Sequence, residues 1–453
     1  MPSVTLKQAA QWCGGFVEPK YENVVFCGAN NDTRIIKPDQ LFIVLQGARD
    51  GHDFIPVAME KGAAAALCSR KVGDYPAIYV DDPRIALGKI AHEVLKTIGC
   101  RVVGVTGSVG KSTTKEMIAA VLSSAYRISK TPANHNNDIG MPMAVLAMPE
   151  DTEIAVLEMG MNHFREIAYL SNIANPDVAV IINVGTMHIE HLGSREGIRK
   201  AKMEIVEGMT PEGKLLLSGD NDLLRNLDTM PVQPVTYFGC DEGCAVWASD
   251  ICQSEESLSF HVHTDKGDFP VKLYLQGEHF VPDALAAVAV GLALDVPAEK
   301  IRQALAGFEN MAGRQEIFQS GGYTIIKDCY NAGPESMAAA LNVLGSRSGR
   351  KVAVLGDMLE LGDHAPEEHR KLGQLAAQKA QLILFYGPNG KYVVEGSGGK
   401  AIAFESRDAM VAALKEAART GDVILFKASH GMHLELALEQ FLKKRIYGGK
   451  CYD

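Results

Sequence analysis

The chain has 453 residues, 47% hydrophobic and 22% charged, which excludes a disordered or fibrous protein and, by length, a single ordinary core. With 45 Lys and Arg against 55 Asp and Glu, a formal net charge of -10, nothing favours binding to a nucleic-acid backbone, and a small-molecule substrate fits better. The opening "MPSVTLKQAAQWCGG" has no basic start followed by an apolar run, and no apolar stretch approaches the roughly 20 residues that span a bilayer, so a cytoplasmic protein without membrane insertion is expected. The nine cysteines are scattered and read as reduced thiols; Cys240 and Cys244 come closest to a pair, but no second pair completes a zinc site.

Residues 1–98 carry short apolar runs, "NVVFCG", "QLFIVLQG", "AAAALC" and "AIYV", and end in the helical pattern "RIALGKIAHEVLKTIG", predicting a small α/β domain. From 99 the rhythm changes. "RVVGVTG", "EIAVLEMG", "DVAVIINVG" and "KLLLSGD" are buried-strand runs with helical patterns between several of them, so 99–311 is expected to hold a doubly wound parallel sheet. Within it, "VTYFG", "LSFHVHT" and "FPVKLYL" predict an antiparallel edge, and "DALAAVAVGLAL" a long Ala-rich helix. After "ENMAGRQEIF", where Gly313 or a neighbour makes a hinge, "YTIIKD", "KVAVLGD", "LILFYG" and "DVILFKAS" alternate with helices, predicting a Rossmann-like α/β domain over 312–453. The expected fold class is α/β, in three domains.

The stretch "VVGVTGSVGKSTTKE" (102–116) reads as a strand, a Gly-rich turn and a helix opening near Lys111, a geometry that aims backbone N–H groups at an anion. Its spacing is shorter than G-x-x-x-x-G-K-[ST], since Val105 stands five places before Gly110. A tight turn with a Ser cap is the alternative reading. The dipole contributes only about 0.3–1 kcal/mol per charge, so a triphosphate would also need Lys111 and a metal ion, with Ser112 or Thr113 offering a hydroxyl. Glu158 closes the next strand run, and "NVGTMHIEHLGS" follows another, so Glu158, His188, Glu190 and His191 are expected at one crevice, supplying at least one metal ligand. In "REGIRKAKMEIVEGM", periodicity places Lys200 and Lys202 on a solvated face and gives Lys202 no role.

Taken in order, "TGSVGKSTT", "LEMG", "NVGTMHIEHLGSREGIRKAKMEI", "GRQE", "KDCYNAGPESM" and "VLGDMLELG" resemble the Mur ligase family of peptidoglycan synthesis, over essentially the whole chain. "TPANHNNDIGMP" and "LGDMLELG" resemble the branch that joins D-alanyl-D-alanine to UDP-N-acetylmuramoyl-tripeptide. A D-N-P-R motif, which the preceding ligase carries when it adds diaminopimelate, is missing; a folate polyglutamate ligase or a P-loop switch are the other readings. The resemblance implies three domains, ATP and Mg²⁺, an acyl-phosphate intermediate, and those two substrates; a monomer is expected.

Carried over, the roles fall on Gly107, Ser108, Val109, Gly110, Lys111, Ser112, Thr113, Arg314, Asn331 and Asp357 for ATP, with Asn331 at adenine and Asp357 at ribose. Ser112, Glu158, His188 and Lys202 would ligate metal, Lys202 as a carbamylated lysine. Lys111, His188 and Lys202 form the implied catalytic set. Thr33, Arg34, Gly51 and His52 would meet the uridine diphosphate, and Asn136 and Asn137 the substrate or γ-phosphate. The chain departs from the family pattern at Phe280 and Asp283, commonly asparagines, and at Lys427, Ala428, Ser429 and His430 in place of K-G-S-R.

Overall fold

The structure, a computed structural model, describes residues 1–311 and 313–443. Its first seven strands are β1 (Val4–Thr5), β2 (Phe16–Val17), β3 (Val25–Phe26), β4 (Ala29–Asn30), β5 (Leu41–Ile43), β6 (Ala65–Cys68) and β7 (Ala77–Tyr79). β1 pairs with β3; the others form one sheet in the order β2-β7-β6-β5-β4, parallel except at β2. Every residue of β6 is buried, as expected of a parallel strand covered on both faces. The helix Pro83–Ile98 begins at Asp82, whose side chain accepts from the Arg84 N–H, and stops at Gly99, whose φ of 69° a residue with a Cβ adopts poorly. Its buried stripe of Leu87, Ile90, Ala91 and Val94 follows the 3.6-residue repeat and joins the same core as Ile167 and Leu170 of the next segment.

The second sheet contains β8 (Arg101–Thr106), β9 (Ile128–Lys130), β10 (Ile154–Glu158), β11 (Val178–Ile181), β12 (Lys214–Ser218), β13 (Val235–Gly239), β14 (Val246–Gln253), β15 (Leu258–Thr264) and β16 (Phe269–Leu273). Their order is β16-β15-β14-β13-β12-β11-β8-β10-β9. The chain leaves β8 toward one edge and returns to its other side at β11. That reversal opens a crevice at the carboxyl ends of β8, β10 and β11, where doubly wound sheets bind ligands.

Two edge expectations need correction. Val235–Gly239 runs parallel to β12, and the antiparallel part consists of β14, β15 and β16. β14 went unread because its pairing shifts between Ser249 and Cys252, with Asp250 at φ 53°, and a bulge breaks the period-2 alternation that signals a strand. The Ala-rich helix Phe280–Ala293 is buried nearly all round against the helix Lys111–Ser123 and this sheet, its small side chains permitting the close approach of Gly291 to Val121.

The third sheet holds β17 (Glu316–Ser320), β18 (Tyr323–Asp328), β19 (Lys351–Gly356), β20 (Leu382–Tyr386), β21 (Ala401–Phe404) and β22 (Val423–Lys427). Their order is β17-β18-β22-β19-β20-β21, with an antiparallel pair only at the β17 edge. The described residues are thus α/β throughout, with one main sheet in each of three successive segments and the small β1–β3 pair beside the first.

Candidate active site between two sheets

β8 ends at Thr106, the loop turns, and the helix begins at Lys111. Gly110 sits at φ 86°, and a Cβ there would lie 2.8 Å from Asp283 Oδ1, so both the backbone and the neighbour demand glycine. The loop is propped by Asn183, whose Oδ1 accepts from the Ser108 and Val109 N–H groups at 2.9 and 3.0 Å and whose Nδ2 donates to the Val109 carbonyl at 2.9 Å. Lys111 Nζ donates to the Gly107 and Ser108 carbonyls at 2.8 and 3.3 Å. Burial, with Arg314 adding to it, lowers the Lys111 ammonium's pKa against the opposing pull of Glu158 and Glu360.

Glu158, the last residue of β10, is 2% exposed. Its Oε1 accepts from Asn136 Nδ2 at 2.8 Å; its Oε2 is buried with no hydrogen-bond partner among the described residues, 3.6 Å from the fully buried Lys115 Nζ. His188 follows β11 at φ 66° with Nδ1 2.7 Å from Glu360 Oε2 of the third segment. Glu190 and His191 are exposed on the short helix Ile189–Leu192, so of this cluster only Glu158 and His188 reach the cavity.

Lys202 corrects the solvated-face expectation. In the helix Arg195–Met203 it shares a buried stripe with Ile198 and Ala201 and is 1% exposed, while Arg195 and Arg199 on other faces pair with Asp222 and Asp228. No carboxylate of the described residues lies within 4.0 Å of it. Burial first, and then the positive charge of Lys111, hold its ammonium well below the ordinary range. The spacing 198, 201, 202 was the overlooked signal: it marks the inward stripe, and Lys202 lies on it.

A cavity of about 500 Å³ connects these groups with the third sheet. Ser108 to Thr113, Asn136, Glu158, His188, Arg314 and Asn331 line it; Lys202, Gly107, Asn137 and Asp357 do not. Arg314 Nη2 donates to Ser112 Oγ at 2.9 Å, and Thr186 N–H to Glu335 Oε1 at 2.8 Å, so the sheets already meet across the loop. Asn137 instead bonds the start of the helix Gly140–Val145, its Oδ1 accepting from the Gly140 N–H at 2.8 Å. Asp357, after β19, is buried beneath Gly387 and Asn389, and burial pushes its carboxyl up to about 6.

Other groups in the cavity carried no sequence expectation, or a doubtful one. Lys427 Nζ donates to Asp328 Oδ2 at 2.6 Å and to the Asn331 carbonyl at 3.0 Å, fixing that loop. Asp283 accepts from Thr114 Oγ1 at 2.7 Å, and burial raises its carboxyl to about 7. Burial also depresses His279 to about 4, leaving a neutral ring against Phe280. Among the described residues no three His, Cys, Asp or Glu side chains cluster as a ready metal site; two of the four expected ligands are a serine and a lysine.

The N-terminal candidates stand apart from this cavity, in loops that follow the parallel strands β4 and β5. Arg34 is exposed and pairs with Asp32 at 2.6 Å, and the Thr33 carbonyl accepts from Lys61 Nζ at 2.6 Å. Gly51 and His52 are buried; His52 Nδ1 lies 2.6 Å from Asp50 Oδ1, and its Nε2 accepts from the Ser69 N–H at 3.3 Å. Arg70, which the sequence did not single out, bonds Asp50 at 2.7 Å and, with the His52 N–H, holds that carboxyl well below the usual range.

Comparison with known proteins gives a concordant result. Residues 105–291 match the family described as Mur ligase middle domain, and residues 313–430 the one described as Mur ligase, glutamate ligase domain. UDP-N-acetylmuramoyl-tripeptide--D-alanyl-D-alanine ligase of Bacillus subtilis (strain 168) is 42% identical over 457 residues, 98% of this chain and 99% of that one. MurF from Acinetobacter baumannii superposes with a TM-score of 0.91 at 32% identity, over 98% of this chain and 100% of that one. The MurF ligase of Thermotoga maritima in complex with ADP gives a TM-score of 0.83 at 31% identity, over 92% and 97%. With similarity running along nearly the whole of each, and with the phosphate loop, Glu158 and Arg314 gathered at one cavity, the chain belongs to the Mur ligase family.

Proposed function

We propose that this protein is an ATP-dependent, ADP-forming amide ligase that joins D-alanyl-D-alanine to UDP-N-acetylmuramoyl-tripeptide in peptidoglycan precursor synthesis. One observation carries the chemistry: a phosphate loop on one sheet and a guanidinium from another converge on the Ser112 hydroxyl, at a cavity large enough for a nucleotide and an acyl acceptor. The tripeptide carboxylate is a poor electrophile because attack by an amine would have to expel oxide. Transfer of the γ-phosphoryl group from ATP onto a carboxylate oxygen releases ADP and leaves an acyl phosphate. The dipeptide amine, once it has lost its proton, attacks the carbonyl carbon; the N–C bond forms, the C–O bond to phosphate breaks, and inorganic phosphate departs. Positioning and charge stabilisation carry most of such a transfer, and Lys111 and Arg314 supply both.

In this reading Asn331 meets the adenine, and Asn136 the substrate or the γ-phosphate. In this reading Asp357 meets the ribose only after a further movement of the third sheet. Thr33, Arg34, Gly51 and His52 bind the uridine diphosphate remote from the chemistry. The reading divides the chain at 98/99 and 311/312, consistent with one main sheet in each part.

A divalent cation fits the cavity wall. Among the described residues Glu158 Oε2 is buried without a hydrogen-bond partner, and its carboxylate and the Ser112 hydroxyl are the oxygen donors a hard cation takes. Ser112, Glu158, His188 and a carbamylated Lys202 would hold Mg²⁺, which supplies charge neutralisation to the phosphates when bound. Burial disfavours the ammonium form of Lys202, and its free amine can add to CO₂, forming an N–C bond and releasing a proton, so that the resulting carbamate supplies a negative charge. No helix of the described residues is long and apolar enough to cross a membrane, and a cytoplasmic location gives access to ATP.

The test is phosphate release from ATP with UDP-N-acetylmuramoyl-tripeptide and D-alanyl-D-alanine omitted in turn. Release should require both. Full-rate release without the dipeptide would overturn the ligase reading, and release with a different amino acid in its place would redirect it to another Mur-type step.

A further inference from the structure

Three cations line the cavity: Lys111, Arg314 and Lys427. Lys427 is neutralised by Asp328, and Lys111 is satisfied by loop carbonyls. Neither Lys111 nor Arg314 has a carboxylate of the described residues within 4.0 Å, but where carbonyls hold Lys111, no loop carbonyl holds the Arg314 guanidinium. Two contacts hold it instead. Nη2 donates to Ser112 Oγ at 2.9 Å, and Cζ lies 4.1 Å from the centroid of the Tyr330 ring.

These contacts do different work. A carboxylate would hold the guanidinium but cancel the charge that a phosphate needs. An aromatic face attracts a cation by about 0.5–2 kcal/mol without neutralising it. The ring itself is anchored: Lys427 bonds Asp328 and the Asn331 carbonyl on either side of Tyr330, and the His430 ring lies 6.0 Å away. His430 stands where the family pattern has an arginine, so Arg314 is the third segment's free guanidinium in this cavity, among the described residues.

We propose that Tyr330 is a positioning residue for phosphoryl transfer, its ring face holding Arg314 aimed at the phosphate loop with its charge intact. The proposal rests on the reading that Arg314 meets the phosphates of ATP.

The experiment is a double-mutant cycle in the full-length enzyme, with kcat and each KM measured for Tyr330→Leu, Tyr330→Phe, Arg314→Ala and Tyr330→Leu/Arg314→Ala, alongside thermal unfolding. Tyr330→Leu should lower kcat about tenfold with the KM for the dipeptide unchanged, and Tyr330→Phe, which keeps the ring, should restore most of that loss. In the Arg314→Ala background the Leu substitution should cost less than about twofold. An equal loss in both backgrounds, or a Phe variant as impaired as the Leu variant, overturns the proposal. If Arg314→Ala alone leaves kcat unchanged, the phosphate reading of Arg314 is what fails. Should Tyr330→Leu not fold, Tyr330→Met, similar in bulk without a π face, is put through the same cycle with the same outcomes.

Discussion

Around the loop Gly107–Thr113, among the described residues, Glu158 Oε2 has no hydrogen-bond partner and only the Lys115 ammonium 3.6 Å away, Lys202 has no carboxylate within 4.0 Å, and Asp283 accepts from one hydroxyl, all of them buried. Around Arg34 and His52 the carboxylates sit near the surface and are paired, Asp32 with Arg34 and Asp50 with Arg70, and Asp50 also meets the buried His52 ring. Burying an ionisable group whose partners do not fully compensate it costs free energy, and a fold that sets Glu158 and Asp283 in the wall of one cavity, with Lys202 buried outside its lining, keeps their electrostatics available to a ligand. Exposed, mutually paired groups cost little and shift little when a ligand replaces one partner. On the proposed function, the deep site handles a changing charge and the N-terminal loops hold a fixed one.

Four substitutions can break that contrast. The largest effect belongs to Lys111→Ala, which should abolish ligation, a loss of roughly 10³-fold or more, while the binding of a uridine nucleotide, measured by calorimetry, stays nearly intact. Loss of both together would mean that the two regions are not separate. Next comes Lys202→Ala, with activity falling about 10²-fold and partly recovering when short carboxylic acids are added to replace the carbamate; full activity in the variant would remove Lys202 from the mechanism.

The third change concerns stability. Because the Asp283 carboxyl is raised from 3.8 to about 7, the native state keeps a proton that the unfolded chain has already released. Its contribution is fully present below about pH 4 and is lost as pH rises through about 7. Asp283→Asn should therefore gain on the wild type between pH 5 and 9, by on the order of 1–4 kcal/mol at the upper end, in denaturant unfolding at several pH values. A constant difference across that range would show that the buried proton is not there. The smallest effect is expected from Arg70→Ala: a rise of at most about fivefold in KM for the uridine-linked substrate with kcat unchanged, read from steady-state rates. A fall in kcat instead would make the N-terminal loops part of the chemistry.

Much of the deep site could be read from the sequence because strand ends are legible. A buried run that stops at Glu158, and another that runs into the loop carrying His188, place both residues by the rule that ligands sit at carboxyl ends. Lys202 was misread on periodicity alone, because a charged side chain on the inward stripe violates the pattern that periodicity assumes. Asn183 was passed over because an amide that props backbone N–H groups leaves no charge to notice. The contacts of Arg314 with Ser112, and of Glu360 with His188, belong to a packing of two sheets that no local pattern encodes, and that of Arg314 with Tyr330 to the return of the chain from β18 beside β17. β14 stayed hidden behind its bulge, and the removal of Asp357 from the cavity depends on Gly387 and Asn389, which lie in a loop after a different strand.

Ser112 and Arg314, joined by one hydrogen bond, are 202 positions apart. At a synthesis rate of about 5–20 residues per second, some ~10–40 s separate their emergence from the ribosome. In that interval the nascent chain has a phosphate loop and no guanidinium to meet it, so the part made first has the means to hold a nucleotide before it has the means to spend one.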